Sequence, residues 1–386
     1  MTSKDHHKHP KLAKPLLGNF GRNEWAILGS SCAVVQSVAQ DVMAHLSPNH
    51  RCAYVDATHH STSNPDTLPA MLQAGAEIAY TTATDHDQWI MKPTVGNHSA
   101  RILLQDCDVV LVNGNHHPST AQVLILDSAK LESLKRRVKQ LTNVVLLLVK
   151  DGSEDVIAFL TDVLPDIQHI PSVLLQDKSA INQFFEQEIK KKEPLLNGLV
   201  LAGGHSRRMG RDKGAIPWHG IPQRDHMVQV LRPFCEEVFI SCRPEQQQDV
   251  GTDNIALPDT FLDLGPFGAL LSAFRAQPNR AWLVVACDLP LLGSDTIDFL
   301  SHQRRVSSTA TTFRSPSDHL PEPLITIWEP HAYPLLLSFL AQGYSCLRKV
   351  LIRSEVHIVE PPSPDALLNV NTPDDLDSMR QRPEFG

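Results

Sequence analysis

Leu199-Val200-Leu201-Ala202-Gly203-Gly204-His205-Ser206-Arg207-Arg208-Met209-Gly210-Arg211-Asp212-Lys213 is the stretch from which the architecture can be read. Residues 199–202 have the apolar composition of a short buried strand. The Gly203-Gly204 pair ends it, and a loop bearing Arg207, Arg208 and Lys213 follows. Glycines at a strand end let backbone N–H groups close on an anion, because no Cβ stands in the way. The arginines add forked, charge-assisted donors and the lysine a point charge. That combination suits a triphosphate. Taken alone, it reads equally well as a glycine turn with solvated basic residues.

Working outward, the order Leu-Ala-Gly-Gly-x-Ser-Arg-Arg-Met-Gly-x-Asp-Lys is far more restrictive than a lone glycine motif. Asp259, Gly265-Pro266, Cys287-Asp288-Leu289-Pro290 and Asn369-Val370-Asn371-Thr372-Pro373 follow it in the chain. Together these segments resemble the MobA family, the molybdenum cofactor guanylyltransferases of the larger nucleotidyltransferase group, from Asn197 to the C-terminus. The resemblance implies a Rossmann-like nucleotidyltransferase fold for 197–386, Mg²⁺ with GTP as substrate, and molybdopterin as acceptor.

The chain has 386 residues, enough for two domains, and its 42% hydrophobic content is ordinary for globular protein. With 35 basic and 43 acidic side chains its formal charge is −8. No basic run exceeds Lys190-Lys191-Lys192, so a nucleic-acid partner is not expected. The seven cysteines lack CxxC spacing and are odd in number, which points to reduced thiols. The first ten residues lack the apolar stretch of a signal peptide, and the run 144–149 is too short to cross a bilayer. The expectation is a cytoplasmic protein with no membrane contact.

Residues 1–21 are polar and basic and read as a flexible arm in preference to a metal-binding tract, since the clustered His6, His7 and His9 have no spacing that defines a site. From 22 to 192, apolar runs at 25–28, 52–55, 77–80, 109–112 and 144–149 alternate with helical patterns at 34–46, 68–74 and 129–141. Such alternation implies a sheet covered on both faces. The expected fold class is therefore α/β, with two doubly wound three-layer domains. Gly29 stands where a P-loop would begin, but Val34, Val35 and Gln36 occupy the places of its glycine, lysine and Ser/Thr. Leu72-Gln73-Ala74-Gly75-Ala76 and the run Asp108 to Gly114 resemble segments of MobB, a P-loop GTP-binding protein that accompanies MobA. On that resemblance, 22–192 is a MobB-like domain whose nucleotide site has degenerated. His59-His60, His116-His117 and Asp56 fall near strand ends, where a joint metal or anion site competes with ordinary solvated loops.

In the second half, Leu201, Ala202, Gly203, Gly204 and Lys213 are the expected nucleotide-binding residues. Asp259 follows a short strand; it reads as a turn residue or as an acceptor for a guanine edge or ribose, and the resemblance favours the nucleotide. The loop 263–269 departs from the family's Gly-Pro-Leu-x-Gly at Phe267 and Ala269, and Arg243 stands where relatives often have asparagine. Trp282 opens the clearest buried strand, which delivers Asp288; Pro290 keeps the aspartate off any helix. Asp288 reads as an N-cap or turn aspartate or as a strand-end carboxylate suited to hard Mg²⁺ on triphosphate oxygens, and the resemblance favours the metal. Glu322 reads as a solvated edge-strand residue in preference to one facing the acceptor, and Arg348, Lys349 and Arg353 as surface cations in preference to attractors of an acceptor phosphate. Thr372-Pro373-Asp374-Asp375 is a helix start. Asn369 and Asn371 share one face of an extended segment, and the resemblance places them at the acceptor.

The expected reaction is transfer of GMP from Mg-GTP to the terminal phosphate of molybdopterin with release of pyrophosphate. Arg208, Lys213 and Asp288 are the catalytic residues, and positioning plus charge neutralisation does the work. The glycines at 203 and 204 favour GTP, since cytidylyl-transferring relatives tend to have alanines there. CTP, another acceptor, or a non-catalytic sensor that docks cofactor-assembly proteins or target apoenzymes are the competing readings.

Overall fold

The computed structural model describes residues 21–57, 70–91, 103–164, 166–203 and 213–384. The expected N-terminal arm, His59-His60, Gly204, Arg207, Arg208 and the side chain of Lys213 lie outside the described residues. The chain divides into two compact units, Met1–Glu188 and Ile189–Gly386.

In the first unit β1 (Asn23–Leu28) runs into α1 (Cys32–Leu46) and β2 (Cys52–Val55), and a short α2 (Ala70–Gln73) follows. Next come β3 (Ile78–Thr82), β4 (Asp87–Met91), β5 (Val109–Asn113) and β6 (Ala121–Leu126), then α3 (Leu131–Arg137), β7 (Val144–Val149), α4 (Glu154–Val163), β8 (Ser172–Leu174) and α5 (Lys178–Lys191). The main sheet has the order β2-β5-β1-β6-β7-β8, and every pairing in it is parallel. Leu28, Leu124, Leu126 and Leu147 pack under Leu134 of α3 and Val156 and Leu160 of α4. Trp25 faces the other way, with its ring edge-on to Phe185 of α5 at 5.1 Å. Helices therefore cover both faces, as a buried parallel sheet requires.

Two expectations change here. The run at 77–80 is not in the sheet: β3 pairs antiparallel with β4 as a separate two-stranded ribbon. A turn closed from Ala83 N–H to the His86 carbonyl folds the chain back locally, so pairing with the next strand wins over a crossover. Conversely, β6 was not anticipated, although its buried apolar run between Thr120 and Asp127 is a strand signal.

The degenerate P-loop is missing as a backbone shape as well as in its side chains. Only Gly29, Ser30 and Ser31 separate β1 from α1, too few to wrap a phosphate. Val35, at the lysine position, is fully buried on α1. Gly29 has φ +98°, and a Cβ there would meet the Ile125 carbonyl at 2.3 Å, so only glycine fits. Ser30 Oγ donates to Asp127 Oδ2 at 2.6 Å, and Lys150 Nζ donates to Oδ1 at 3.2 Å. Ser30 and Lys150 thus engage the Asp127 carboxylate beside the short turn after β1.

In the second unit β9 (Leu196–Leu201) is followed by α6 (Gln223–Leu231), β10 (Val238–Cys242), β11 (Ile255–Pro258), α7 (Pro266–Ala276), β12 (Ala281–Ala286) and α8 (Ser294–His302). Then come β13 (Ala310–Arg314), β14 (Pro321–Trp328), α9 (Ala332–Ala341), α10 (Leu347–Ile352), β15 (Val356–Val359) and α11 (Pro373–Arg380). The sheet order is β11-β10-β9-β12-β14-β13-β15. Strands β11, β10, β9 and β12 are parallel, and β14 alone runs against its neighbours. Strand alternation splits the core in two. Val200, Ile240, Leu283 and Val285 pack on α6 and α8 through Met227, Leu231, Ile297 and Leu300. Leu199, Trp282, Val284 and Trp328 pack on α7, α9 and α10 through Phe267, Leu271, Leu336 and Val350. This is a three-layer α/β unit with helices on both faces.

Candidate active site

The chain leaves β9 toward β10 and β11 on one side and returns with β12 on the other, so the strand order reverses between β9 and β12. Ligands in open α/β sheets bind beyond the carboxyl ends at such a point. Residues Leu196 to Leu201 pair with Ala281 to Ala286 in register, so both strands end at the same height. One delivers Ala202 and Gly203, the other Cys287 and Asp288.

Ala202 is buried and its N–H donates to the Ser241 carbonyl at 3.2 Å. A Cβ on Gly203 would come within 3.4 Å of Arg243 N and Cys242 Cα, so the chain turns off β9 hard against the end of β10. Arg243 itself is folded onto Gln246 Oε1, which its Nε–H reaches at 3.1 Å, and onto Glu245 at 3.2 Å. From Lys213 the backbone forms a 3₁₀ turn to Ala215, and Ile216 then packs with Val370, Leu376 and Met379. Packing on the C-terminal segment thus brings the far end of the cationic loop back to the site.

Asp259 follows β11. Its N–H donates to the Cys242 carbonyl (2.9 Å), and its Oδ1 accepts from Ser241 Oγ (2.9 Å). Burial pushes its carboxyl up to about 6, against the lowering effect of the Ser241 bond. The segment expected as loop 263–269 is in fact mostly helix: α7 begins at Pro266, with Gly265 at φ +56° as its N-cap. Phe267 is buried in the core beneath the sheet, so its departure from the family's leucine is a packing difference. Gly268 meets the Phe261 carbonyl, which a Cβ would approach to 2.2 Å. Ser272 Oγ accepts from the N–H groups of Thr260 and Phe261 and donates to the Gly268 carbonyl. These contacts fix the Asp259 loop over the start of α7.

Asp288 sits in the turn after β12 rather than on the strand, which stops at Ala286. Its carbonyl accepts from Val370 N–H at 2.9 Å, which draws the asparagine segment alongside. Val370 is buried, Asn369 exposed and Asn371 half-buried, so the asparagines turn away from the core that holds the valine. Thr372 Oγ1 caps α11 by accepting from Asp375 N–H, and the Asp375 carboxylate accepts from the N–H groups of Asn371 and Thr372.

The edge-strand reading of Glu322 is overturned. β14 lies between β12 and β13, not at an edge. The antiparallel pairing of β12 and β14, last seen at Val285 and Ile325, brings the start of β14 to the edge where β12 ends, and the Asp288 charge acts on Glu322 there. The Glu322 side chain is 13% exposed and accepts from Arg348 at 3.2 Å. Burial raises its carboxyl; the Arg348 charge opposes this and the charges of Asp318 and Asp288 add to it. Arg348, clamped by Asp318 and Glu322, is therefore no loose surface cation. Lys349 and Arg353 instead lie over the Tyr344 ring. The sequence could have shown Glu322 only through the strand register.

Oxygen donors at the carboxyl edge, with the Glu322 carboxylate within electrostatic reach of Asp288, fit Mg²⁺, which takes one or two carboxylates and completes its shell with phosphate and water oxygens. Among the described residues no group of three or more His, Cys, Asp and Glu forms a metal cluster. In the first unit His116 comes within 3.8 Å of Asp56.

The MobA-like NTP transferase domain matches residues 198–358. The molybdenum cofactor guanylyltransferase of Pseudomonas putida is 31% identical over 46% of this chain and 94% of its own length. The chain belongs to the MobA-like NTP transferase family. A molybdenum cofactor biosynthesis bifunctional protein of Synechocystis is 34% identical over 47% of this chain, and the match spans 52% of that relative. The crystal structure of molybdopterin-guanine dinucleotide biosynthesis protein A from Archaeoglobus fulgidus superposes with a TM-score of 0.41, 22% identity, 47% of this chain and 95% of that one. All of these matches cover about half of the chain. No helix among the described residues is long and apolar enough to cross a membrane.

Proposed function

We propose that the MobA-like unit transfers GMP from GTP to the terminal phosphate of molybdopterin, with release of pyrophosphate. The observation that carries this reading is the meeting of Gly203, Asp259, Asp288 and Val370 at one carboxyl edge, at the strand-order reversal, in a chain whose relatives bear the name guanylyltransferase. Leu201 and Ala202 form the floor under the nucleotide, and backbone N–H groups at Gly203 and Gly204 take the triphosphate with Arg208 and Lys213. Asp259 faces the guanosine. Asp288 would hold Mg²⁺, which would supply charge neutralisation to the phosphate oxygens. Asn369 and Asn371, steered by Val370, receive the acceptor with their amide donors and acceptors.

The acceptor phosphate is already an anion, so no general base is required. Positioning the phosphorus in line and offsetting the charge that builds on pyrophosphate account for the catalysis. The MobB-like first unit takes no part in GTP hydrolysis, since the loop that would hold phosphate is too short. The test is turnover of GTP or CTP with molybdopterin and Mg²⁺, with mass analysis of the product. A guanine dinucleotide product with pyrophosphate is expected; a cytosine product, or tight GTP binding without turnover, refutes the proposal.

A further inference from the structure

The carboxyl edge of the first unit's sheet holds a set of reactive groups that nucleotidyl transfer does not use. Cys32 is the first residue of α1, so its thiol stands at the positive end of a 15-residue helix. Its Sγ lies 3.3 Å from His116 Nε2, in the loop after β5. The same nitrogen lies 3.8 Å from Asp56 Oδ1, just past β2. Asp56 is itself fixed: Tyr54 Oη donates to it at 2.8 Å and Asn113 Nδ2 at 2.9 Å. Burial works against its charge, but these bonds, its contact with Ala57 N–H and the nearby His116 outweigh it and hold the carboxyl below its ordinary value. β2, β5 and β1 are neighbours in the sheet, so the three side chains are brought together by the fold from positions 24 to 84 residues apart.

A nucleophile within hydrogen-bond reach of a base, with a third group beside the base, is the arrangement of covalent catalysis. We propose that Cys32 is the nucleophile of a covalent thiol site in the first unit, with His116 as its proton acceptor and Asp56 as the charge partner of the resulting imidazolium, and that the site takes small disulfides. In the exchange His116 takes the thiol proton and the Cys32 sulfur bonds to one sulfur of the disulfide. The old S–S bond breaks, and the second sulfur leaves as a thiolate that collects the proton from His116. No outside oxidant is needed. Small co-reactants are selected because Cys32 is only part-exposed and the His116 side chain is 14% exposed. By contrast, burial pushes the thiol of Cys52 up to about 11 and raises that of Cys107, which makes them slow internal comparators. The exposed Cys346 is the fast one.

The fully reduced chain is treated briefly with glutathione disulfide at neutral pH, quenched in acid and mapped by peptide mass analysis. Mixed disulfide is expected at Cys32 about tenfold faster than at Cys346, with His116→Gln lowering the Cys32 rate by about tenfold and leaving Cys346 unchanged. A Cys32 rate at or below that of Cys346 in the unmutated chain overturns the proposal without any variant. Equal Cys32 rates with and without His116 overturn the role of the histidine. Iodoacetamide serves as a second probe: fast alkylation with slow disulfide exchange overturns the assignment of disulfides as the co-reactant.

Discussion

Arg304→Met should unfold the MobA-like unit well before it touches the chemistry. Glu329, at the end of β14, is fully buried, and Arg304 grips it with both arms: Nε donates to Oε1 at 2.7 Å and Nη2 to Oε2 at 2.9 Å. The same Nη2 donates to the Pro194 carbonyl at 2.8 Å, just ahead of β9. The pair therefore ties the base of the strand that carries the glycine loop to the strand that presents Glu322. Removing the guanidinium leaves a fully buried carboxylate without its countercharge, which costs about 3–5 kcal/mol. For a unit of this size that corresponds to a fall in Tm of roughly 6–20 °C.

The pH dependence follows from the same pair. Burial raises the Glu329 carboxyl, and Arg304 only partly offsets it. A raised carboxyl contributes stability that is present below its unfolded value and lost as pH rises through its folded one. Without Arg304 the rise is larger, so the deficit of the variant should be smallest in acid and widen toward neutral pH. Thermal unfolding of Arg304→Met, Glu329→Leu and the double variant across that range is the assay. The double variant should recover to within about 1–2 kcal/mol of the parent, because a well-packed apolar pair replaces the ions. A single-variant loss under about 1 kcal/mol, or a double variant as weak as Arg304→Met, would refute the reasoning.

Lys213→Ala should slow nucleotidyl transfer about a hundredfold, the loss of one preorganised donor at about 3 kcal/mol; unchanged turnover would remove Lys213 from the mechanism. Asp259, with its carboxyl at about 6 against 3.8 for the ordinary group, contributes stability that is present below 3.8 and lost as pH rises through about 6. Asp259→Asn should therefore flatten the Tm profile between those values. Calorimetric GTP affinity should weaken below pH 6 in the parent and stay weak and pH-independent in the variant. Gly268→Ala drives a Cβ into the Phe261 carbonyl and should cost about 1–3 kcal/mol in denaturant unfolding, with weaker GTP binding as the Asp259 loop lifts from α7; parental stability would show that the loop yields freely.

Legible from the residues alone were the α/β class, the strands ending at Leu201 and near Asp288, the capped helix after Thr372, and the absence of a P-loop signature after Gly29. These are local matters: apolar runs, turn residues and caps act over a few positions, and the glycine and Asp-Leu-Pro motifs sit where each strand must stop. The tertiary structure decided everything that depends on which strand lies beside which. Glu322 comes near enough to Asp288 to feel its charge only because β14 runs antiparallel beside β12, and no periodicity along either segment encodes that. Val370 reaches the Asp288 carbonyl, and Ile216 reaches Val370, across separations closed only by the buried core between them. Cys32, Asp56 and His116 meet for the same reason: parallel neighbours are joined by crossovers, so their ends converge in space while remaining far apart in the chain.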